Sequence, residues 1–445
     1  VTSHQLTIVM LYEQPEKLLQ TLIRFDTTNP PGNEAACIHY LAGLFQEAGI
    51  ETKLVASDEQ RPNLVARMKG DGSAPGLLLQ GHVDVVTTAG QQWTHPPFEG
   101  IEADGYIWGR GALDMKSGVV MMVCALLRMK EEGIMPAGDT TLCVLSDEET
   151  GGDYGARYLV EKHPGLFEGI KYGLGEFGGF TLRLNGHKFY PIQVAEKLQC
   201  QMRLTINGPA GHGSMPLQGG TMARLGQVLQ DLDKVRMPLH ITPVTKMMIE
   251  GLARYTTGST SLMLRQLLRP RLADVLLANT GERLRALAPL FRNTVSPTIV
   301  RGGHKINVIP GKITLDLDGR MLPGYTPEQM VSEVQAIIGP DIDIKVLAYD
   351  EPDGGNLDLS QFAMLAGVLK ELDPQGIPLP YMLPAVSDAR FFARLGIQHY
   401  GFVPLNLPPE FDFMATIHAA DERVPVEAVR FGTTAVFMAL QRYGR

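Results

Sequence analysis

Residues 77–86 read LLLQGHVDVV and residues 140–152 read TTLCVLSDEETGG, and each stretch begins as an apolar run with polar residues after it. Apolar runs of this length, dense in leucine and valine, predict strands that are buried on both faces. A third strand is predicted over residues 64–69. Helices are predicted over residues 15–25, 35–48 and 117–131. Because strands and helices alternate, we expect an α/β layered sheet with covered faces.

The pattern changes in the middle of the chain. Residues 198–207 and 313–321 alternate apolar and polar side chains, which predicts strands with one exposed face, and helical segments lie between them. The sequence therefore predicts a smaller α+β domain inserted into the layered one. The predicted catalytic domain comprises residues 1–196 and 326–445, and the predicted insert comprises residues 197–325.

The composition is that of an ordinary globular protein, since 44% of the 445 residues are hydrophobic and 20% are charged. It excludes a mainly disordered, collagen-like or coiled-coil chain. The formal net charge is −8, and lysine and arginine form no long run, which argues against a nucleic-acid partner. No stretch of about 18 uncharged apolar residues occurs, so no membrane-spanning helix is expected.

The cysteines form no CxxC pair, and their spacing does not ask for disulfide bonds; they are Cys37, Cys124, Cys143 and Cys200. We expect reduced thiols in the core. The first residues lack the basic, apolar and small-residue order of a secretory signal. A cytoplasmic location is therefore predicted.

Four segments carry the residues of most chemical interest: 81–84 (GHVD), 109–118 (GRGALDMKSG), 146–152 (SDEETGG) and 417–422 (IHAADE). Taken alone, each has a structural interpretation, such as a solvated glutamate pair or an aspartate that caps a turn. Three of them, however, are predicted at the carboxyl ends of buried strands, where α/β sheets bind ligands. Converging carboxylates and imidazoles would repel one another without a counter-charge, so a metal site is predicted.

With these segments the chain resembles the two-zinc amidohydrolases of metallopeptidase family 20, which include aminoacylases, acetylornithine deacetylases, succinyl-diaminopimelate desuccinylases and glutamate carboxypeptidases. Residues 77–152 carry the most specific part of the resemblance. Residues 29–34 (NPPGNE) and 387–390 (SDAR) also fit. The resemblance implies a zinc-exopeptidase-like catalytic domain with a mixed sheet, interrupted by a smaller α+β lid or dimerisation domain.

The resemblance also implies two Zn²⁺ ions per subunit, with Co²⁺ or Mn²⁺ as substitutes. His82 would bind the first ion, Asp114 would bridge both ions, and Glu149 and His418 would bind the second. Glu176 matches the remaining ligand of the first ion by position, although its flanking residues depart from the usual pattern of the family. Nitrogen and oxygen ligands without cysteine suit a catalytic zinc site that keeps an open position.

Three neighbouring carboxylates receive other interpretations. Asp84 would hold the far nitrogen of the His82 ring and so fix its tautomer. Glu148 would act as the general base for a hydroxide that bridges the metals. Asp147 is the nearest competitor of Glu176 as a ligand, but it lies early in its turn.

The predicted insert contributes further residues under the same resemblance. His212 would donate a hydrogen bond to the substrate carbonyl from the partner subunit of a homodimer that forms through the insert. Asn307 and Arg320 match substrate-binding positions, and Arg320 would pair with a free carboxylate of the substrate. A surface salt bridge is the alternative interpretation of Arg320. The peptide bond between Asp114 and Met115 is expected to be cis.

The predicted function is zinc-dependent hydrolysis of an amide bond next to a free α-carboxylate, in N-acyl amino acids or short peptides. Both an aminoacylase and a dipeptidase or carboxypeptidase fit. A glutamate at position 176 is the family's choice in acylases and carboxypeptidases, which argues against N-terminal trimming. A biosynthetic deacetylase or desuccinylase is an alternative. A non-catalytic relative that binds amino-acid derivatives is a second alternative, although Glu148 and all the ligands are present.

Overall fold

The computed structural model describes residues 8–279, 287–351 and 357–445. The chain divides into two compact units. The first unit comprises the described residues up to Val194 together with Asp358–Tyr381 and Ser387–Arg445. The second comprises the described residues of Ala195–Leu357 together with Met382–Val386.

The described residues contain helices of very different lengths, and several begin with proline, which is suited to the first helical turn. In chain order they are α1 (Ile8–Glu13), α2 (Pro15–Ile23), α3 (Ala35–Glu47), α4 (Lys116–Glu131), α5 (Ala156–Lys162), α6 (Thr221–Lys234), α7 (Pro243–Tyr255), α8 (Gly258–Gln266), α9 (Pro270–Asn279), α10 (Pro327–Ile338), α11 (Phe362–Leu372), α12 (Ala389–Ala393), α13 (Phe413–Thr416) and α14 (Val426–Arg442).

The strands of the described residues are mostly short, and β3 and β6, which lead into two of the polar segments, are fully buried. In chain order they are β1 (Glu51–Val55), β2 (Asn63–Met68), β3 (Gly76–His82), β4 (Ile101–Ala103), β5 (Tyr106–Trp108), β6 (Thr140–Leu145), β7 (Ile170–Gly175), β8 (Leu182–Leu184), β9 (His187–Glu196), β10 (Leu198–Asn207), β11 (Gly211–His212), β12 (Thr294–Gly302), β13 (Val308–Ile309), β14 (Lys312–Met321), β15 (Asp343–Tyr349), β16 (Ile377–Leu383), β17 (Gln398–Gly401) and β18 (Arg423–Pro425).

The first unit is built on a mixed sheet with the strand order β1-β2-β6-β3-β7-β17-β9-β16, and β8 pairs with β9. Strands β6, β3, β7 and β17 run parallel to their neighbours in that order, whereas β1, β2 and β6 pair antiparallel. The carboxyl ends of β6, β3 and β7 therefore lie side by side at one edge of the sheet. This is the position at which α/β sheets bind ligands.

Both faces of this sheet are covered, which is why its central strands read as continuous apolar runs. One face packs Leu78, Cys143 and Leu145 against Leu159 of α5 and Phe391 of α12. On the other face, α4 packs on β3 and against α14. Helix α4 is buried nearly all round, which explains its apolar sequence.

The second unit has a four-stranded antiparallel sheet with the order β12-β14-β10-β15. Alternate residues of β10 and β14 enter one apolar core, as the period of two requires. Met330 and Val334 of α10 and Val228 of α6 cover that core. The opposite sheet face is less buried, and β12 forms one edge of the sheet.

These observations confirm the predicted fold class, a layered α/β domain with a mixed sheet and a smaller α+β domain. The second unit extends past residue 325 because β15 pairs with β10. The predicted domain boundaries themselves stay a prediction. Strand β3 ends at His82, earlier than the predicted 77–86.

All four cysteines are buried and free, in agreement with the expected thiols of the core. Within the described ranges, no helix combines the length and the apolar character needed to cross a membrane. The cytoplasmic location stays a prediction.

Candidate metal centre

The polar segments of the sequence meet at the edge formed by β3, β6 and β7. Strand β3 ends in His82 itself. The segment that carries Asp147, Glu148 and Glu149 follows β6, and Glu176 directly follows β7. Parallel neighbours with a common direction deliver these side chains to one place without any long loop.

His82 is 1% exposed and lies between an acceptor pair on one side and two carboxylates on the other. Its Nδ1 is 3.0 Å from the backbone oxygen of Asp84 and 3.4 Å from the Asp84 carboxylate. Its Nε2 is 3.2 Å from Asp114 Oδ1 and 3.5 Å from Glu176 Oε2. With a proton on Nδ1, which faces Asp84, Nε2 is the nitrogen that faces Asp114 and Glu176 and would bind a cation.

Asp84 is fully buried and connects the ends of two strands. Its Oδ1 accepts a hydrogen bond from the backbone N–H of Glu148, and its Oδ2 accepts one from that of Glu149, each at 3.1 Å. The amide of Asn29 donates to the same Oδ2 at 2.9 Å. Asp84 thus holds the backbone of the Glu148–Glu149 pair as well as the His82 ring. Asn29 belongs to the 29–34 segment, and its part in this arrangement was not predicted.

Asp114 lies between two histidines that are far apart in the sequence. Its Oδ2 is 3.0 Å from His418 Nε2, and that nitrogen is 3.3 Å from Glu149 Oε1. The Asp114–Met115 peptide bond is cis, as expected. One carboxylate therefore faces His82 with one oxygen and His418 with the other.

Asp147, the competing ligand of the sequence analysis, is occupied elsewhere. Its Oδ1 lies 2.9 Å from Arg61 and accepts a hydrogen bond from Asn29, and its Oδ2 accepts one from the backbone N–H of Tyr154 at 3.0 Å. It stabilises the turn in which it lies, and its own φ is +73°. It belongs to neither group of ligand atoms described next.

The potential ligands fall into two groups that share Asp114. His82, Asp114 and Glu176 form one group, and Asp114, Glu149 and His418 form the other; within each group the ligand atoms lie within 4.8 Å of one another. The first group is buried, whereas the His418 side chain is 47% exposed. Two nitrogen donors and three carboxylates, one of them shared, match the chemistry of two neighbouring divalent cations.

The electrostatics of the group indicate a deficit of positive charge. Burial, and then the nearby Glu176 carboxylate, raise the pKa of Glu148 well above its ordinary value. Burial also raises the pKa of Glu149 and of Glu176. The Asp114 carboxylate, followed by Glu149, raises the pKa of His418 to about 10. The raised pKa values mean that these carboxylates and histidines hold protons, and bound cations would take the place of those protons. The residues therefore suit a pair of divalent cations.

A buried ion pair beneath Asp114 and His418 was missed by the sequence analysis. Arg110 pairs with Glu422, and both side chains are almost fully buried. Glu422 Oε1 accepts hydrogen bonds from the backbone N–H groups of Leu113 at 2.7 Å and of Asp114 at 3.2 Å. Arg110 Nη2 donates to the backbone oxygen of His418 at 3.1 Å. The pair therefore fixes the two loops that carry Asp114 and His418.

A sequence signal for this pair existed, because Arg110 and Glu422 belong to the same quoted segments as two of the predicted ligands. Their charge alone, however, does not distinguish a buried pair from two solvated residues. More than 300 positions separate Arg110 from Glu422, so their contact follows only from the fold.

The remaining predicted site residues lie in the second unit. The structure brings His212 and Asn307 together, because the backbone oxygen of Asn307 accepts a hydrogen bond from Gly213 at 2.9 Å and β11 pairs with β13. His212 is exposed, and its Nδ1 accepts a hydrogen bond from the backbone N–H of Ser214 at 3.3 Å. Its Nε2 consequently carries the proton and can donate.

Arg320 lies on β14 and pairs with Asp318 on the same strand. Its Nε and Nη2 donate to Asp318 Oδ2 at 3.2 and 3.1 Å, and its side chain is 26% exposed. Lys197 is buried nearby, where burial, and then the charge of Arg320, lower its pKa to about 7. Arg320 thus forms a salt bridge, as its alternative interpretation predicted, but its side chain can still be reached from solvent.

The sequence matches the profile of Peptidase family M20/M25/M40 over residues 78–442. Among curated proteins, the N-fatty-acyl-amino acid synthase/hydrolase PM20D1 of Homo sapiens is 27% identical over 399 residues, which are 86% of this chain and 77% of that protein. A probable succinyl-diaminopimelate desuccinylase of Staphylococcus aureus strain Mu50 is 28% identical over 359 residues, which are 77% of this chain and 77% of that protein.

Solved structures have a similar fold at lower sequence identity. The M20 family metallo-carboxypeptidase Sso-CP2 from Sulfolobus solfataricus has a TM-score of 0.68 at 15% identity, with 96% of this chain and 98% of that chain covered. The YXEP protein of Bacillus subtilis, described as a dinuclear metal binding peptidase from M20 family, has a TM-score of 0.59 at 14% identity, with 96% and 97% covered. At these identities the likeness bears on the fold.

Replacing His82 by alanine tests the first group of ligands. We expect the metal-free variant to bind fewer equivalents of Zn²⁺ than the wild-type chain, because one of three ligands of the buried cluster is lost. Isothermal titration calorimetry with elemental analysis gives the stoichiometry. His187→Ala, on β9 and outside both clusters, is the control. Two equivalents retained by the His82 variant would show that the ligand assignment is wrong.

Glu422→Gln tests the buried pair beneath the second group. The variant keeps the size of the side chain but removes the charge that holds Arg110 and the Asp114 loop. Loss of a hydrogen-bond partner of a ligand typically weakens metal binding about 10–100-fold. We expect the affinity for the metal to fall by this factor at the cluster of Asp114, Glu149 and His418. Competition with a chelating dye measures the affinity.

Asp373→Asn is the matched control for this experiment. Asp373 is also a buried carboxylate of the first unit and accepts a hydrogen bond from Tyr190 at 2.7 Å, but it belongs to neither cluster. Equal metal affinity in the Glu422 variant and the wild type would contradict the role given to the pair.

Proposed function

The chain belongs to peptidase family M20/M25/M40, and we propose that it hydrolyses an amide bond next to a free α-carboxylate in N-acyl amino acids or short peptides. The membership identifies it as a hydrolase of the metallopeptidase and amidohydrolase type. The observation that carries the proposal is the pair of ligand clusters that share Asp114, with the partly buried Glu148 beside them.

Glu148 is the proposed general base. Cations held by the two clusters would polarise the scissile carbonyl and lower the pKa of a water molecule. Glu148 is a neighbour of the ligand Glu149 in the chain but belongs to neither cluster. Its carboxylate would accept the proton of the water and pass it to the leaving amine, which cannot depart as an anion. The hydrogen bond to Asp84 fixes the backbone position from which Glu148 acts.

The metals are proposed to be two Zn²⁺ ions per subunit. Imidazole and carboxylate ligands without cysteine suit zinc in a catalytic site, and Co²⁺ or Mn²⁺ are accepted by similar donor sets. The likeness to a dinuclear metal binding peptidase supports the number of ions.

His212 is the proposed hydrogen-bond donor to the substrate carbonyl. Its Nδ1 accepts from Ser214, so the proton on Nε2 is available for an oxygen that becomes negative during attack. Arg320, with Asn307, is proposed to bind the free carboxylate of the substrate. A guanidinium can form two parallel hydrogen bonds with such a group, and its pairing with Asp318 is exposed enough to be exchanged.

The names of the relatives support two versions of this function. An N-acyl amino acid hydrolase or a carboxypeptidase agrees with the human relative and with the structure from Sulfolobus solfataricus. A biosynthetic deacetylase or desuccinylase, the alternative, agrees with the relative in Staphylococcus aureus. The presence of Glu148 and of all five ligands argues against a non-catalytic binding protein.

The role of Glu148 is tested by Glu148→Gln. We expect kcat to fall by about 10²–10⁴, the usual scale for the loss of a general base, with the metal content unchanged. Hydrolysis of N-acyl amino acids and dipeptides is followed by release of the free amine. Glu161→Gln, an exposed residue of α5, is the control. Near-normal turnover in a metal-loaded Glu148 variant would remove this residue from the mechanism.

We further propose that the chain forms a homodimer through the second unit. Strand β12 is an edge strand whose residues are mostly exposed, and it carries Ile299 and Val300 at 45% and 52% exposure. Exposed apolar edges of this kind tend to be covered by a partner, and identical copies pair with two-fold symmetry. In this assembly His212 would complete the site of the partner subunit.

Complementation tests this assembly. An inactive His212→Ala chain and an inactive Glu148→Gln chain are mixed under conditions that allow subunit exchange. Mixed dimers then contain one site with both intact residues, so about a quarter of the wild-type activity should return at equal proportions. Light scattering and mass spectrometry monitor dimers and exchange. No recovery after demonstrated exchange would show that His212 acts in its own chain or has no catalytic role.

A further inference from the structure

An apolar pocket adjoins the buried metal cluster within the first unit. Its volume is about 20 Å³, room for a methyl-sized group. Apart from the ligands Asp114 and Glu176, only uncharged residues line it: Leu113, Met115, Phe177, Gly178, Phe180, Val403, Leu405, Phe413 and Ile417. A pocket of this composition excludes charged groups and accepts aliphatic ones.

The walls of the pocket come from the residues next to the metal ligands. Leu113 and Met115 flank Asp114, Phe177 follows Glu176, and Ile417 precedes His418. Any group that reaches the pocket is therefore within a few bonds of an atom bound at the metal centre. The unusual residues that follow Glu176, which depart from the pattern of the family, thus form part of this wall.

Three aromatic rings define the shape of the pocket. Phe180 and Phe413 are stacked, with centroids 4.1 Å apart and an angle of 8° between their planes. Phe177 meets both rings edge-on, at 6.4 and 6.2 Å. Phe180 and Phe413 are buried, whereas Phe177 and Ile417 are partly exposed. These two residues therefore stand where the pocket meets solvent, and the Phe177 ring closes that side of it.

The backbone of this wall is held in place. The N–H of Val403 donates to the oxygen of Gly178 at 2.9 Å, and that of Leu405 donates to the oxygen of Gly179 at 3.1 Å. Gly401 passes so close that a Cβ there would lie 1.6 Å from the Phe177 oxygen. A wall fixed in this way is pre-organised, so its side chains can discriminate between substrates.

We propose that this pocket receives an uncharged aliphatic group of the substrate and selects against a dicarboxylic acyl group such as succinyl. The proposal rests on the amide hydrolysis proposed above. A carboxylate in the pocket would lose its water shell and would find no cationic side chain among the lining residues. An aliphatic group would instead bury apolar surface against the phenylalanine rings.

Two substrate series identify the occupant. In one, acetyl, butyryl, hexanoyl and succinyl groups are attached to the same amino acid; in the other, N-acetyl derivatives of glycine, alanine, norvaline and norleucine are compared. In the series that fills the pocket, kcat/KM should rise about fourfold for the one methyl-sized group that the pocket can bury, and should then fall in the longer members. Butyryl should exceed succinyl at least tenfold. Equal hydrolysis of butyryl and succinyl substrates would overturn the proposal.

Phe177→Ala tests the limiting wall. Removal of the ring should shift the optimum of the filling series to longer chains, with about a tenfold gain of the longest member relative to the shortest. Phe411→Ala is the control, because the Phe411 ring stacks on Tyr106 at 6.0 Å and does not line the pocket. An unchanged chain-length profile in the Phe177 variant would overturn the proposal.

Calorimetry separates this proposal from the proposed function. The same compounds are titrated into the zinc-loaded Glu148→Gln variant, which binds without hydrolysis. Tighter binding of butyryl than of succinyl derivatives supports the pocket even if the wild-type chain hydrolyses none of them, an outcome that would reject only the hydrolase proposal. Equal affinities would reject the pocket.

Discussion

Crowding of carboxylates at one buried sheet edge is the constraint on which the rest of this structure depends. Strands β3, β6 and β7 end side by side, and the segments that follow them bring acidic groups into a space with little water. Such groups stay together only if positive charge is supplied. Hydrogen bonds from backbone N–H groups stabilise part of this negative charge, and His82 and His418 stabilise another part. Two divalent cations would satisfy the remainder.

Asp84 shows how local geometry meets this constraint. It stands between β3 and the Glu148–Glu149 turn and accepts three hydrogen bonds, from two backbone N–H groups and the Asn29 amide. Because Asp84 orients both the His82 ring and the Glu148–Glu149 turn, the relative positions of the two depend on a single side chain. The Arg110–Glu422 pair has a similar function for the loops of Asp114 and His418.

Sequence reasoning reached the fold and the groups that meet at the sheet edge, because both leave local signals. Apolar runs and alternation predicted the strands, and polar residues after those runs predicted the place of the site. The end of β3 was missed, since Val83, Val85 and Val86 continue the apolar pattern although they lie beyond the strand. The Arg110–Glu422 pair and the phenylalanine wall were missed for another reason. They arise from contacts between distant segments, which no periodicity records.

The unequal burial of the two ligand groups affects the rates at which cations bind and dissociate. His82 and Glu176 are screened from solvent, with side chains 1% and 6% exposed, whereas that of His418 is 47% exposed. Water must reach a ligand atom before a cation can leave it. Residence times should therefore differ, with a long-lived ion in the inner position and a rapidly exchanging one in the outer. The occupancy of the outer site alone would then follow the concentration of free metal around the protein.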